Sequence, residues 1–253
     1  REARKLFDEA VERQSRRLVE EMGSKQLEKE DMYKIVAEDV AVGQSTKKRP
    51  LDEVLNDLDA FVGMRTVKNL IRRLAVQSMF LKQRSESGIG KVKQMNMNFV
   101  LTGNPGTGKT SLARLMGELL QSMDILPSKN IIEVSRAQLV GKYMGETPKI
   151  VNKYCDQAMG GVLFIDEAYT LCNGGDDQYG HEAVDTLMRR MENDRGKFVV
   201  IIAGYKDRID AFLSENQGLA SRFTHKMNIE DYNEDELLAI IKKMAAQEDF
   251  VFE

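Results

Sequence analysis

Short apolar runs alternate with amphipathic stretches through most of the chain. Five such runs predict buried strands, at residues 98–102, 130–134, 161–167, 198–204 and 224–229. Helical spacing of apolar side chains predicts helices at residues 51–58, 65–85, 109–123, 147–159 and 181–191, then one ending at 213 and one at 233–248. The run at 161–167 is apolar on both faces, which is typical of a central strand in a parallel sheet. The alternation predicts an α/β fold with a doubly wound, five-stranded parallel sheet.

The first 42 residues have a helical pattern that is rich in charge. Their two partial apolar stripes consist of Leu6, Phe7, Ala10, Leu18 and Val19, and of Met32, Ile35, Val36 and Val40. These helices form either an N-terminal module or the tail of a preceding domain, and solvated helices account for the pattern equally well. A polar linker from Gly43 to Pro50 predicts a domain boundary.

Composition narrows the classes of function. The chain has 253 residues and a net charge of -3, which argues against nucleic acid or an acidic membrane as a partner. No apolar run approaches membrane-spanning length. The two cysteines, Cys155 and Cys172, are few and far apart, so a reduced, cytoplasmic setting is expected. Because the chain opens on Arg1 and stops within a helical pattern, we expect it to be a fragment of a longer protein.

The stretch from Gly103 to Thr110, with the sequence Gly-Asn-Pro-Gly-Thr-Gly-Lys-Thr, joins a predicted strand to a predicted helix. In that context the pattern G-x-x-x-x-G-K-[ST] binds phosphate. The glycines let several backbone N–H groups point at one anion, and the helix N-terminus adds the positive end of its dipole. Lys109 is placed to reach the β- and γ-phosphates, and the Thr110 hydroxyl to bind Mg²⁺. The alternative is a glycine turn that happens to end in Lys-Thr.

Two adjacent acids, Asp166 and Glu167, end the third predicted strand. Ligands in this class of fold bind at the carboxyl ends of the strands. Asp166 is therefore placed to hold Mg²⁺, directly or through water, and Glu167 to polarise a water for attack on the γ-phosphate. Paired acids after a strand also occur as helix N-caps, so this prediction depends on their combination with the loop at 103–110.

Together these two motifs resemble those of the AAA+ ATPases, over roughly residues 51–250. The sequence is similar to the branch that contains the red-type rubisco activases, the stage V sporulation K proteins and the type VII secretion AAA+ ATPases. The order and spacing of four further pieces carry that narrower resemblance: Leu139–Thr147, Met191–Asn193, Val200–Tyr205 and Gly218–Phe223. The resemblance implies a P-loop AAA+ core at 51–230, preceded by an N-terminal helical segment and linker at 1–50. It also implies an incomplete C-terminal lid at 231–253.

The resemblance further implies a binding site for ATP and Mg²⁺. The segment against the adenine would consist of Phe61, Val62 and Gly63, although a core turn between helices is the alternative there. The residues of the phosphate-binding loop would be Asn104, Pro105, Gly106, Thr107, Gly108, Lys109, Thr110 and Ser111. The metal ligands would be Thr110 and Asp166, with Glu167 as the catalytic base.

Three more assignments come from the resemblance alone. Arg222 matches the arginine finger, which reaches the γ-phosphate of the neighbouring subunit, and its alternative is a surface salt bridge. Tyr205 stands where many AAA+ proteins carry a sensor asparagine, and it is the third catalytic candidate. The segment Lys142, Tyr143, Met144 and Gly145 matches the pore loop, whose exposed aromatic and methionine side chains can grip a protein chain. The alternative is that Tyr143 anchors this loop to the core.

The implied function is hydrolysis of ATP to ADP and phosphate, coupled to remodelling of a protein partner by a hexameric ring of identical subunits. The alternative is an ATP-gated assembly switch or secretion-system scaffold that threads no chain. A small-molecule kinase fits badly, because Arg222 and Tyr143 would have no task in it.

Overall fold

The chain divides into two units in the computed structural model, Arg1–Thr46 and Lys47–Glu253. The structure describes residues 7, 10, 11, 14, 15, 18, 33–36, 48–87, 97–172, 177–248 and 250. In the first unit the described residues from Phe7 to Leu18 are helical, as predicted, and Ala10 is buried. In the second stripe Ile35 and Val36 are half-buried but lie in no helix, so the helical prediction is wrong at these two residues. The remaining members of the two stripes lie outside the described part of the chain.

The second unit alternates helices and strands. Its helices are α1 (Leu51–Asp59), α2 (Arg65–Glu86), α3 (Lys109–Ser122), α4 (Arg136–Leu139), α5 (Thr147–Gln157), α6 (Gln178–Asn193), α7 (Lys206–Glu215), α8 (Gln217–Ala220) and α9 (Glu234–Gln247). Its strands are β1 (Phe99–Thr102), β2 (Ile131–Val134), β3 (Val162–Ile165), β4 (Val199–Gly204) and β5 (His225–Asn228). A 3₁₀ turn, Ala168–Leu171, follows β3.

The five strands form one parallel sheet in the order β2-β3-β4-β1-β5. Because all strands run in the same direction, the segments that follow β1, β3 and β4 leave the sheet at one edge. These three strands are neighbours in the sheet, with β4 in the middle. Residues that follow them in sequence are therefore brought together at the carboxyl edge, where such folds bind ligands.

The sheet has a hydrophobic core on each face, which explains the apolar runs of the sequence. Phe99 and Leu101 of β1 face a core that also contains α1, α2 and α3, whereas Val100 faces a second core with α5, α6 and α7. All residues of β1, β3 and β4 are buried. The predicted doubly wound fold is confirmed.

In the second unit the predicted strands and longer helices agree with the structure except at their ends, whereas the short helices α4 and α8 were not predicted. Helix α6 begins at Gln178 rather than at 181, because the Asp177 side chain accepts a hydrogen bond from the backbone N–H of Gly180 and caps the helix. The predicted loop at 139–145 is preceded by one helical turn, α4, which Ser135 and Gln138 stabilise as a capping box. The loops predicted at 88–90 and 174–177 lie outside the described residues, apart from Asp177.

Candidate active site

A cleft with a volume of about 460 Å³ opens at the carboxyl edge of the sheet. It is lined by Pro105, Gly106, Gly108, Lys109, Thr110, Ser111, Asp166, Glu167, Gly204 and Tyr205. These residues follow β1, β3 and β4, so the strand order brings them together across 100 residues of sequence. Two predicted members of the phosphate-binding loop, Asn104 and Thr107, lie outside this lining. The Thr107 hydroxyl donates a 2.8 Å hydrogen bond to the Asn104 carbonyl within the loop.

The loop between β1 and α3 has the backbone of an anion cradle. Gly106 and Gly108 have φ angles of 77° and 91°, in a region that a side chain rarely adopts. A Cβ atom at Gly108 would lie 3.2 Å from Cε of Met64 and 3.5 Å from the Tyr232 hydroxyl. A residue with a side chain would be strained at either position, so glycine suits this path, which leaves the N-terminus of α3 open to the cleft.

Lys109 is bound to the loop itself in this structure. Its Nζ donates hydrogen bonds of 2.8 Å to the carbonyl oxygens of Gly103 and Asn104. Burial lowers the pKa of the ammonium group, and the nearby carboxylates of Asp166 and Glu167 oppose that shift. A half-buried cation that faces two carboxylates on the other wall of the cleft is well placed to attract a polyanion bound to a divalent metal.

The second wall of the cleft begins where β3 ends. One oxygen of Asp166, Oδ1, accepts a hydrogen bond of 3.0 Å from the backbone N–H of Glu167. Glu167 has a φ angle of 48°, which is uncommon for a residue with a side chain and is found most often at functional sites. The Thr170 hydroxyl donates to the Glu167 carbonyl at 2.7 Å and so holds this strained turn in place.

Tyr205 lies between these two walls, at the end of β4. It is the N-cap residue of α7, and its ring lies 6.2 Å from the ring of Tyr169. The guanidinium of Arg208 lies 5.1 Å from the centre of the Tyr169 ring and 5.4 Å from that of Tyr205. Neither Tyr169 nor Arg208 was predicted from the sequence, because an aromatic and a basic residue on separate helical turns carry no motif.

The residues of the cleft fit a nucleoside triphosphate with Mg²⁺. The loop offers backbone N–H groups, Lys109 a cation, and Thr110 a hydroxyl, while Asp166 supplies a carboxylate on the facing wall. Magnesium in such sites is held by one or two protein oxygens together with phosphates and water. The described residues contain no group of three or more His, Cys, Asp or Glu that could hold a metal by themselves.

The segment at 61–63 lies beside the cleft and not in its lining. Phe61 packs against the core that contains α1 and α2, as the core-turn alternative describes. Gly63 and Met64 have φ angles of 67° and 55°, and the Met64 side chain reaches the back of Gly108. The segment therefore contacts the phosphate-binding loop through Met64.

Arg222 lies at the opposite edge of the sheet. It precedes β5, and its carbonyl oxygen accepts a 3.3 Å hydrogen bond from Nδ2 of Asn98, the residue before β1. Arg222 and the phosphate-binding loop thus lie at opposite ends of β1. A strand of four residues is about 13 Å long, so at least this distance separates them. The Arg222 side chain is 25% exposed and pairs with Glu192 at 3.4 Å and with the carbonyl of Gly218 at 2.7 Å.

The predicted pore loop is folded around an acidic side chain. Oε2 of Glu146 accepts hydrogen bonds from the backbone N–H groups of Lys142 and Tyr143, at 2.9 and 3.3 Å. The Tyr143 and Met144 side chains are 74% and 85% exposed. Large apolar side chains held outward by a structured turn do not anchor it to a core, so this finding goes against the anchoring alternative.

Neither cysteine has the environment of a nucleophile. Burial raises the pKa of Cys155 to about 12 and that of Cys172 to about 11, although Sγ of Cys172 lies 3.7 Å from Nδ1 of His181. Cys155 is fully buried among apolar side chains.

Comparison with known protein families identifies the family of this chain. Residues 99–231, just over half of it, match the ATPase family associated with various cellular activities (AAA). The chain belongs to this AAA family. Residues 1–50 match a second family description, the AAA lid domain.

Relatives in the branch named from the motifs are also found. The chain is 41% identical over 213 residues to the ESX-1 secretion system protein EccA1 of Mycobacterium tuberculosis, covering 83% of this chain and 37% of that protein. It is 40% identical over 200 residues to the stage V sporulation protein K of Bacillus subtilis, covering 79% and 62%. The chain thus spans less than two thirds of the length of these relatives.

Among solved structures, the AAA domain of FIGL-1 in complex with ADP is similar in fold, with a TM-score of 0.52 and 19% sequence identity. The likeness covers 74% of this chain and 60% of that one. In the part of the chain that the structure describes, no helix combines the length and apolar character needed to cross a bilayer.

Proposed function

We propose that this chain binds and hydrolyses ATP in the cleft, with Mg²⁺, and that hydrolysis drives the remodelling of a protein partner by a hexameric ring. The observation that carries the proposal is the meeting of Lys109, Thr110, Asp166 and Glu167 in one cleft. Membership of the AAA family supports ATPase activity. The free cysteines support a cytoplasmic setting for the ring.

Within this proposal each residue of the cleft has one task. The loop N–H groups and Lys109 would hold the phosphates, and Thr110 and Asp166 would hold the metal, which would supply positive charge beside the transferred phosphoryl group. Glu167 orients a water molecule and takes its proton. Tyr205 stands where its hydroxyl can position the same water. The strained backbone of Glu167 supports its role, because such strain persists only where the surroundings fix it.

We further propose that Arg222 acts on the site of a neighbouring subunit. Its position at the amino edge of the sheet supports this, because its own cleft opens at the carboxyl edge. The ion pair with Glu192 is partly exposed on both sides and so contributes little to stability. The ion pair with Glu192 would therefore not hold Arg222 strongly when a neighbour presents a phosphate.

Changing Arg222 to alanine should preserve ATP binding and slow hydrolysis by about 1000-fold. Mixing this variant with Lys109→Ala protein should restore part of the activity. Roughly a quarter of the interfaces then pair an intact site with an intact arginine. The measurement is steady-state ATPase activity after subunit exchange. If exchanged mixtures recover no activity, Arg222 does not act across an interface.

The exposed side chains of Tyr143 and Met144 support the proposal that this loop binds a polypeptide. One observation favours the alternative of an assembly switch without threading, since EccA1 is described as a secretion system protein. The two candidate functions differ in what the Tyr143 side chain has to do. A remodeller needs it on the partner, and a switch does not.

Changing Tyr143 to alanine should lower the melting temperature by no more than a few degrees, because the side chain is already exposed. Basal ATPase activity should persist, while partner-stimulated ATPase and remodelling should be lost. Tyr143→Phe is the matched control and should retain most of both. A stable Tyr143→Ala protein that remodels its partner normally would favour the switch, and a large loss of stability would restore the anchoring alternative.

The division of the chain is also a proposal. We assign residues 51–230 to the ATPase core and 231–253 to the first part of a C-terminal lid. Residues 1–50 are assigned to an N-terminal helical segment and linker. The match of these residues to the AAA lid domain supports a segment separate from the ATPase core.

A further inference from the structure

The segment that connects β5 to α9 holds the phosphate-binding loop at two points. The hydroxyl of Tyr232 donates a 3.0 Å hydrogen bond to the carbonyl oxygen of Thr107. The carboxylate of Asp231 accepts hydrogen bonds of 3.0 and 2.8 Å from Nδ2 of Asn104. We propose that Asp231 and Tyr232 form a clasp that sets the phosphate-binding loop for nucleotide and couples nucleotide binding to the position of α9. This inference rests on the proposed function of the cleft.

The contact from Tyr232 controls the direction of a backbone N–H group. The carbonyl of Thr107 and the N–H of Gly108 belong to one planar, trans peptide unit, so they point in opposite directions. Tyr232 binds this carbonyl, and both Tyr232 and Thr107 lie outside the lining of the cleft, whereas Gly108 belongs to it. Holding the carbonyl of Thr107 therefore aims the N–H of Gly108 at the position of the phosphates.

The environment of Tyr232 keeps its hydroxyl in the donor form. The ring is half-buried and packs against the core formed with α1, α2 and α3. Burial raises the pKa of the phenol, and the nearby Glu236 carboxylate raises it further. The hydroxyl therefore stays protonated well above neutral pH and can donate to Thr107 throughout the physiological range.

Helix α9 also contacts the turn from Ala60 to Gly63, next to Met64, which packs on the phosphate-binding loop. Nζ of Lys243 donates a 2.9 Å hydrogen bond to the carbonyl of Ala60. The carboxylate of Glu236 lies so close to Gly63 that a Cβ there would approach Oε1 to 2.9 Å. Glu236 is itself fixed by a capping box with Asn233. The connector before α9 thus contacts the phosphate-binding loop, and α9 itself contacts the turn from Ala60 to Gly63.

These contacts provide a route for coupling in both directions. A nucleotide that draws the N–H of Gly108 inward also fixes the carbonyl of Thr107, and through it Tyr232 and the start of α9. By thermodynamic linkage, a movement of α9 must change nucleotide affinity by the same factor by which nucleotide biases α9. Asp231 and Tyr232 are positioning residues in this scheme, because they act through the loop and do not touch the reacting atoms.

The first test is the affinity of the full chain for a fluorescent ADP analogue. Tyr232→Phe removes only the hydroxyl and should weaken binding roughly fivefold, as the loss of one partly buried hydrogen bond does. The matched control is Tyr154→Phe, a half-buried tyrosine that packs against the other core and should leave affinity unchanged. Affinity of Tyr232→Phe equal to that of the unmodified chain would overturn the clasp.

The second test reports on α9 and separates coupling from simple loss of stability. The chain contains no tryptophan, so Met244→Trp places a single fluorophore on α9 at a position that is 59% exposed. Saturating ADP should shift its emission in the otherwise unmodified chain. The shift should be lost, still at saturation, when Tyr232→Phe and Asp231→Ala are added. Absence of the shift in the parent, or an equal shift in the combined variant, would overturn the coupling.

The two proposals fail in different ways. If the unmodified chain binds no nucleotide, both the proposed function and the clasp are wrong. If it binds nucleotide and Lys109→Ala does not, while Tyr232→Phe binds normally, the function stands and only the clasp is wrong.

Discussion

Changing Lys109 to alanine should remove most nucleotide binding, with an affinity loss of about 3 kcal/mol, or roughly 100-fold. The ammonium group is partly buried and faces the carboxylates of Asp166 and Glu167 across the cleft. Without it, a bound triphosphate would meet these acids with no positioned cation to balance them. The measurement is titration with a fluorescent ATP analogue in the presence of Mg²⁺.

The effect should be specific to the cleft and independent of fold stability. In this structure Nζ of Lys109 binds only carbonyl oxygens of its own loop among the contacts described, and these oxygens can bind water instead. The melting temperature should therefore change by no more than a few degrees. Lys149→Ala, which removes an exposed lysine from α5, is the matched control and should bind normally. Unchanged affinity in Lys109→Ala would remove the basis of the proposed function.

Changing Glu167 to glutamine should retain ATP binding and reduce turnover by about 1000-fold. The amide has the same shape and can still hold a water molecule, but it cannot accept the proton. Because glutamine has the same length and branching, the left-handed backbone at this position should be kept. Trapped ATP should also stabilise oligomers. The measurements are single-turnover hydrolysis and the oligomeric state in ATP.

A matched control for Glu167 is Glu215→Gln, at the exposed end of α7. It should leave both turnover and oligomeric state unchanged. Turnover of Glu167→Gln near that of the unmodified chain would show that another group takes the proton. Weaker ATP binding in Glu167→Gln would instead indicate that the carboxylate belongs to the metal site.

The strands could be predicted to within one or two residues because each of the central ones is buried on both faces. A run such as Phe99–Thr102 has no polar face, so its limits are visible as limits of hydrophobicity. Helix ends were predicted less well, since they depend on side-chain caps. Asp177 starts α6 three residues earlier than the apolar spacing indicates.

The residues of the candidate site could be predicted where they are close together in the sequence. The loop from Gly103 to Thr110 is a continuous motif, and Asp166 with Glu167 is another, so both could be recognised without a structure. The contacts of Arg208 with Tyr169 and Tyr205 join separate turns, and no spacing rule indicates them. Such contacts arise only when β3 and β4 become neighbours in the sheet.

The sequence by itself determined the fold class, the family and the residues of the two motifs. This was possible because the periodicity of apolar residues and the spacing of motif residues both involve residues that are close in sequence. Only the tertiary structure decided where these residues lie relative to the rest. The parallel register places Arg222 at the edge of the sheet away from its own cleft. It also brings Tyr232 to Thr107, 125 positions away in sequence. A hydrogen bond over that separation depends on the pairing of β1 with β5, which no local pattern encodes.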